Sequence, residues 1–384
     1  MRRTRWLLWA FYRPNWFIIF LYQDSEHPHL FHAALASRKF TERDWNPRKD
    51  PMGNLAEELK INPRLETDRI VAFLQRQVLR VMRRRGAVVG ISGGIDSSVV
   101  LALLARAFDV QKIAALILPE KESDPASEDL ARAVASHFGV EPILEDLTDA
   151  LEGLGCYARR DAAIRRVFPA FDPQLGYRTR IVLPGDLLER GTLNVFSLVL
   201  VDPDGRETRK RLLPKELQEI TAASNFKQRM RMAMLYHHAE LRHFAVIGTA
   251  NRDEHDLGFF VKYGDGGADL QPIAHLFKTQ VYQMADYLGV PETIQRRTPS
   301  TDTYSGGGSQ QEFFFRVPFD ILDTVWLGLE RAFSLEAIAE ALDLTPEQVG
   351  RVTADIHRKQ KTTAYLRMPV AKLDAPTKAR AEDD

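Results

Sequence analysis

Cysteine is almost absent from this chain: Cys156 is the one cysteine in 384 residues. That excludes an intramolecular disulfide, a CxxC redox pair and a four-cysteine zinc site, and it fits a reducing, cytoplasmic setting. Net charge is absent too, with 52 Lys and Arg against 52 Asp and Glu. There is thus no overall field to draw nucleic acid. No apolar run is long enough for a membrane span. Trp6–Tyr22 is split by Arg13–Pro14 into pieces far short of the ~20 residues required. Neither HExxH nor a Gly-Lys-Ser/Thr after a glycine cluster occurs, which removes a zinc hydrolase and a Walker A loop. His237, His238, His243 and His255 then read as surface or core polar residues. Repeats and low-complexity tracts are missing. What remains is 45% hydrophobic and 27% charged, the composition of an ordinary globular protein.

Residues 1–51 stand apart. They hold Trp6, Trp9, Trp16 and Trp45, four of the five tryptophans, and an excess of basic residues. This extension reads as a start placed too early, with the fold beginning at Met52, or as an interfacial anchor or an ordered extension. From Met52 onward strands and helices alternate. Arg64–Met82 has helical periodicity with Ile70, Phe73, Leu74, Val78 and Val81 on one stripe. Short apolar strands are expected at 87–91, 113–118, within 140–147 and at 244–248. Helices are expected up to Phe108, over 127–138, over 226–241 and over 276–288. That alternation predicts an α/β fold: a doubly wound parallel sheet with helices on both faces. Residues 151–215 break the rhythm as an insertion containing a β-hairpin, with strand 195–201, turn Asp202–Gly205 and a basic return. The expected organisation is an extension (1–51), a main domain (52–330) and a helical C-terminal segment (331–384). Within that segment, Leu335–Val349 has the spacing of a helical hairpin. The neutral charge argues against a DNA-reading unit there.

The most informative stretch is strand, then Ser92-Gly-Gly-Ile-Asp-Ser-Ser98, then helix. Glycines let the backbone turn sharply against a ligand, and a helix N-terminus offers free N–H groups to an anion. Ser92, Ser97 and Ser98 add hydroxyls, making a phosphate nest. Asp96 can be a helix cap. Beside phosphates, however, a carboxylate calls for a divalent cation, and magnesium takes one or two carboxylates plus phosphate oxygens. Lys227, Arg229 and Arg231 crowd what reads as the start of the next helix, which predicts an anionic ligand. Thr249 and Glu254 leave a strand end where open α/β sheets bind ligands. A glycine-rich loop then brings Lys262, Asp265 and Asp269, and Lys278 opens a helix within reach of phosphates.

The loop Ser92–Ser97 resembles that of the N-type ATP pyrophosphatases, and Asn225–Gln280 (with KYGDGGAD and LFKTQV) resembles the ammonia-dependent NAD synthetases. The resemblance covers roughly Arg64–Asp302 apart from the insertion. It implies an adenine nucleotide alpha-hydrolase-like fold. It implies amidation of nicotinic acid adenine dinucleotide to NAD through an acyl adenylate, with ATP, Mg2+ and ammonia. It places Gly90, Ser92, Gly93, Gly94, Asp96, Ser97, Thr249, Lys278 and Ser300 on ATP, and makes Asp96 and Lys278 the catalytic pair. It places Asp96 and Glu254 on magnesium, and Arg229, Lys262, Asp269 and His357 on the dinucleotide. It also implies a homodimer. Cys156 has no partner constellation for glutamine hydrolysis, so ammonia is expected free or from a separate glutaminase subunit. Two departures stand out. The insertion is long, and the acidic stretch usual after the ATP-contacting hydroxyl is replaced by Thr303–Glu312 and three phenylalanines. These keep open an amide-forming ligase of the same chemistry acting on a different carboxylate.

Overall fold

The computed structural model describes residues 6–13, 16–23, 55–185, 187–190, 195–300 and 305–373. Met52, most of the 1–51 extension and the end of the C-terminal segment lie outside the described residues. Within the extension, Trp6–Arg13 and Trp16–Gln23 pair as antiparallel strands.

Beyond residue 55 the strands are β1 (Ala87–Gly90), β2 (Ile113–Ile117), β3 (Pro142–Leu144), β4 (Arg178–Val182), β5 (Ser197–Val201), β6 (Glu207–Arg211) and β7 (Ala245–Ile247). The longer helices are α1 (Pro63–Gln75), α2 (Ile95–Ala107), α3 (Pro125–His137), α4 (Cys156–Val167), α5 (Pro214–Arg242), α6 (Arg252–Leu257), α7 (Lys278–Leu288), α8 (Phe319–Glu330), α9 (Leu335–Leu342) and α10 (Pro346–Thr362). No helix among the described residues is long and apolar enough to cross a membrane.

The central sheet is parallel, in the order β3-β2-β1-β7. Its strands are apolar throughout because both faces are covered. Ala87, Val89, Ala115, Ile117 and Ile247 face the core shared with α1, α2 and α7. Val88, Ala114, Leu116 and Val246 face the opposite way, onto Met232, Leu235 and Ala239 of α5. This is the doubly wound arrangement expected from the alternation. Helix α2 carries apolar residues almost all round and is correspondingly enclosed, with Val99 to Leu104 buried without a break. The expected helix 64–82 is present. Asn62 caps it, Pro63 sits in its first turn, and Arg76–Val81 finish it as a wider π-turn.

The segment 151–215 contains the expected hairpin. β5 and β6 are antiparallel, and Asp202 accepts from Arg206 N–H across a turn in which Gly205 has φ +82°. It also contains more than the sequence signalled. β4 adds a third antiparallel strand, and α4 packs Ala163 and Ile164 against Ile181, Leu198 and Ile220. RTRIV is too short and too charged to read as a strand, and it forms one because β5 lies beside it. Helix α5 begins at Pro214, a full three turns before the expected start near Phe226. The C-terminal segment is helical as expected, with Ser334 and Thr345 capping α9 and α10. Ile338, Val349 and Ile356 share a core with Leu257 and Phe277.

Leu104 is fully buried between the sheet and α7. Leu104→Ala should cost about 2–5 kcal/mol in chemical unfolding. Leu213→Ala, at a residue 63% exposed, should stay within about 0.5 kcal/mol.

Candidate functional site

The sheet order reverses between β1 and β7, and the two loops leaving their carboxyl ends form the site. After β1 the chain turns at Gly93, where φ is +68°. A Cβ there would stand 2.7 Å from Leu130 Cβ and 2.8 Å from Ser127 O, so only glycine fits. Gly94 starts α2 without a side-chain cap, leaving first-turn N–H groups open to an anion. Ser92 Oγ accepts from Gly94 N–H at 3.3 Å, and Ser97 Oγ donates to Gly94 O at 3.0 Å. Ser98 is different from its expected role. It is fully buried, and its hydroxyl donates to Gly94 O at 2.8 Å. It shapes the loop and does not face a ligand.

Asp96 in the first turn of α2 is bound from two sides. Asn251 Nδ2 donates to one oxygen at 2.9 Å, and Lys278 Nζ forms an ion pair with the other. Asn251 is also the cap of α6. It accepts from Glu254 N–H at 3.0 Å, while Glu254 accepts from Asn251 N–H at 3.2 Å. One residue therefore sets both acids. Gln310 Nε2 donates to the other Glu254 oxygen at 3.2 Å. Burial, then the neighbouring Asp96 charge, pushes the Glu254 carboxyl up to about 8. Lys278 is fully buried. Burial pulls its ammonium down, but Asp96 and Glu254 more than offset this and hold it above its ordinary value.

Lys278 is the first residue of α7, where a cation opposes the helix dipole. Two buried acids lie at the same end. Lys278 N–H donates to Asp253 at 3.0 Å, and Thr279 N–H and Oγ1 donate to Asp323 at 2.8 and 2.7 Å. Burial raises Asp323 to about 6, and burial with the neighbouring Asp323 charge raises Asp253 well above its ordinary value.

These groups border a cavity of about 1070 Å³. Gly90, Ser92, Ser97, Thr249, Glu254, Ser300, Arg229 and Lys262 line it. Gly93, Gly94, Asp96 and Lys278 are outside that lining, the first three lying between Ser92 and Ser97 in the chain and Lys278 paired with Asp96. Two further expected residues are also outside the lining. Asp269 accepts from Tyr236 OH at 2.9 Å and from Val246 N–H at 2.8 Å, so it fastens α5 to β7. His357 is exposed on α10, and Tyr365 and Leu366 line the cavity from this end of the chain. Lys262 Nζ donates to the carbonyls of Tyr365 and Met368, both at 3.0 Å.

The cations 227–231 also differ from expectation. They lie mid-helix in α5, away from any N-terminus. Lys227 is fully buried against Glu120 at 2.8 Å and Glu122 at 2.6 Å, and Arg231 donates to Leu118 O at 3.1 Å. The protein itself answers the Lys227 charge, whereas Arg231 also lines the cavity. Arg229 is exposed, donates to Lys262 O at 3.3 Å and lines the cavity. Asn251, Gln310 and Asp323 were not read from sequence. Only Asn251 left a signal, the three-residue spacing to Glu254 that marks a capping box.

The carboxyl set fits magnesium. Among the described residues no cluster of three or more His, Cys, Asp or Glu side chains is suited to a metal. Glu254 keeps its proton until about pH 8, so Asp96 balances Lys278, and a bound cation would take the place of that proton. Two carboxylates with remaining positions left to phosphate and water are what that ion takes.

The family model described as NAD synthase matches residues 66–165 and 202–368. The NH(3)-dependent NAD(+) synthetase of Rhizobium meliloti is 49% identical over 82% of this chain and 92% of its own. That of Thermotoga neapolitana is 35% identical over 76% and 91%. Among solved structures, the NH3-dependent NAD synthetase of Campylobacter jejuni, in complex with the nitrate ion, aligns with a TM-score of 0.51 at 21% identity. That alignment covers 82% of this chain and all of that one. The NMN synthetase of Francisella tularensis aligns at 0.53 and 20%, with the same coverage. These two likenesses establish the fold.

Because the folded protein holds a proton on Glu254 that the unfolded chain releases, ligand-free stability should fall as pH rises from 4.5 to about 8. Glu254→Gln removes that dependence. Thermal unfolding should show it more stable than wild type near the upper end of this range, with the difference closing at the lower end.

Proposed function

The chain belongs to the NAD synthase family, and from that membership we propose that it amidates nicotinic acid adenine dinucleotide to NAD, with ATP and ammonia. The observation that carries this reading is the Asp96–Lys278–Glu254 set beside an uncapped helix N-terminus. It borders a cavity that also presents Arg229 and Lys262. Phosphates of ATP lie on the N–H groups of Ile95 to Ser97 and on the Ser92 and Ser97 hydroxyls, with Thr249 and Ser300 at the nucleoside side. Asp96 and Glu254 would hold magnesium, which supplies neutralisation of triphosphate charge. Arg229 and Lys262 face the anionic dinucleotide.

The reaction then has two steps. A pyridine carboxylate oxygen attacks the α-phosphorus of ATP, forming an acyl adenylate as the bond to pyrophosphate breaks. The ammonia nitrogen next attacks the carbonyl carbon. AMP leaves with the bridging oxygen, and the nitrogen sheds one proton to solvent and keeps two as the carboxamide. The carboxylate is already ionised at neutral pH, so the first step needs no general base. Lys278, kept protonated by its two acids, stabilises charge gathering on the phosphates. The walls hold two anions in contact that would otherwise repel. Cys156 is not a candidate nucleophile for glutamine hydrolysis. It is buried at the start of α4, donates to Ala223 O at 3.2 Å, and has its thiol pushed up by burial. The nitrogen is therefore free ammonia, or ammonia passed from a separate glutaminase subunit. We place the enzyme in the cytoplasm as a homodimer.

Protein supplied with ATP, magnesium, ammonium and the dinucleotide acid should form NAD and AMP in equal amounts. Asp96→Asn and Lys278→Met should each lower kcat by about 100-fold or more while the protein stays folded. Folded protein that binds ATP without forming NAD would refute the substrate assignment.

A further inference from the structure

The stretch that the family match leaves out, 166–201, is not a bystander. Ile181 of β4 and Phe196 beside β5 line the cavity, together with Leu217 on α5 and Phe313. The four belong to one apolar cluster, and the Phe196 and Phe313 rings stand 6.5 Å apart. This wall lies at one end of the cleft. Helix α5 runs along the cavity, which it lines from Leu217 to Leu235. At 1.5 Å per residue that is about 27 Å. Leu235 marks the ATP end, since it is the side chain nearest to Gly90. Arg229 lies about 9 Å back from Leu235, and Leu217 about 18 Å further on.

A dinucleotide has a matching pattern: an aromatic ring, a doubly charged pyrophosphate and a second aromatic ring. Its pyridine carboxylate must sit at the ATP end to meet the α-phosphorus. That places its pyrophosphate near Arg229 and Lys262 and its second ring against the apolar end. Gln218 and Thr221, on the same stretch of α5, line the cavity there with polar groups suited to the edge of a base. We propose that the insertion builds the subsite for the adenine of the dinucleotide, with Phe196 as its stacking face. The inference rests on the dinucleotide reading above. It adds that specificity for a dinucleotide over a mononucleotide comes from a part of the chain that the family match omits.

The test compares wild type and Phe196→Ala on the dinucleotide acid and on the corresponding mononucleotide acid, which lacks the adenosine half. Loss of an aromatic face under a base should raise KM for the dinucleotide roughly tenfold. kcat should stay within about twofold, KM for ATP should not change, and both proteins should treat the mononucleotide alike. Phe196→Tyr should restore the dinucleotide KM. Leu217→Ala, on a different element, should reproduce the pattern and guards against a folding defect in the first variant. An unchanged dinucleotide KM overturns the proposal. So does a rise in KM for ATP, or an equal loss on the mononucleotide. A wild type that amidates the mononucleotide but not the dinucleotide fails the functional reading itself, before any variant is made.

Discussion

Lys278 holds a positive charge with no exposed surface, and the site is arranged around that fact. Burying an ammonium costs several kcal/mol unless partners are held in place for it. Its position at the start of a helix adds dipole repulsion. Asp96 and Glu254 answer the charge from the cavity side, and Asp253 and Asp323 bind the backbone of the same turn from beneath. Each acid comes from a different element or a different face of one: α2, α6 and α8. The Lys278–Thr279 turn therefore fastens three helices to the carboxyl end of the sheet, and the Ser92–Ser98 loop inherits its placement from α2.

This arrangement has a chemical consequence. Without substrates, two carboxylates face one ammonium, and one of them, Glu254, retains its proton to a high pH. Asp96 then balances Lys278, and a bound cation would displace the Glu254 proton. Arg229 and Lys262 are separate from this set. They are joined to each other through the Lys262 carbonyl and to the C-terminal segment through Tyr365 and Met368. The cleft thus has two separate polar groups, the Asp96–Lys278–Glu254 set and the Arg229–Lys262 pair.

Much of this was legible in sequence, where local chemistry determines local geometry. Gly93 must be glycine because of its φ and its neighbours, and strand–SGGxDS–helix states that directly. The four sheet strands announced themselves because parallel strands covered on both faces must be apolar. Reading failed where the answer lay with distant partners. Lys227 looked like a ligand-facing cation because Glu120 and Glu122 lie about a hundred residues earlier in the chain. Asp269 looked like a substrate contact, yet Tyr236 and β7 occupy both its oxygens. Asp323 sits in an apolar helix and had no motif to flag it. β4 became a strand through its neighbour, and the polar start of α5 concealed three turns of helix.

The central claim is that this cleft joins a carboxylate to the α-phosphorus of ATP before nitrogen arrives. Isotope transfer tests it most directly. Dinucleotide acid labelled with oxygen-18 in both carboxylate positions is converted with unlabelled ATP and ammonium, and the AMP is weighed by mass spectrometry. The account predicts one labelled oxygen in each AMP and one retained in the NAD carboxamide. Unlabelled AMP formed alongside NAD would contradict it, because the carboxylate would then never have been bonded to the phosphorus.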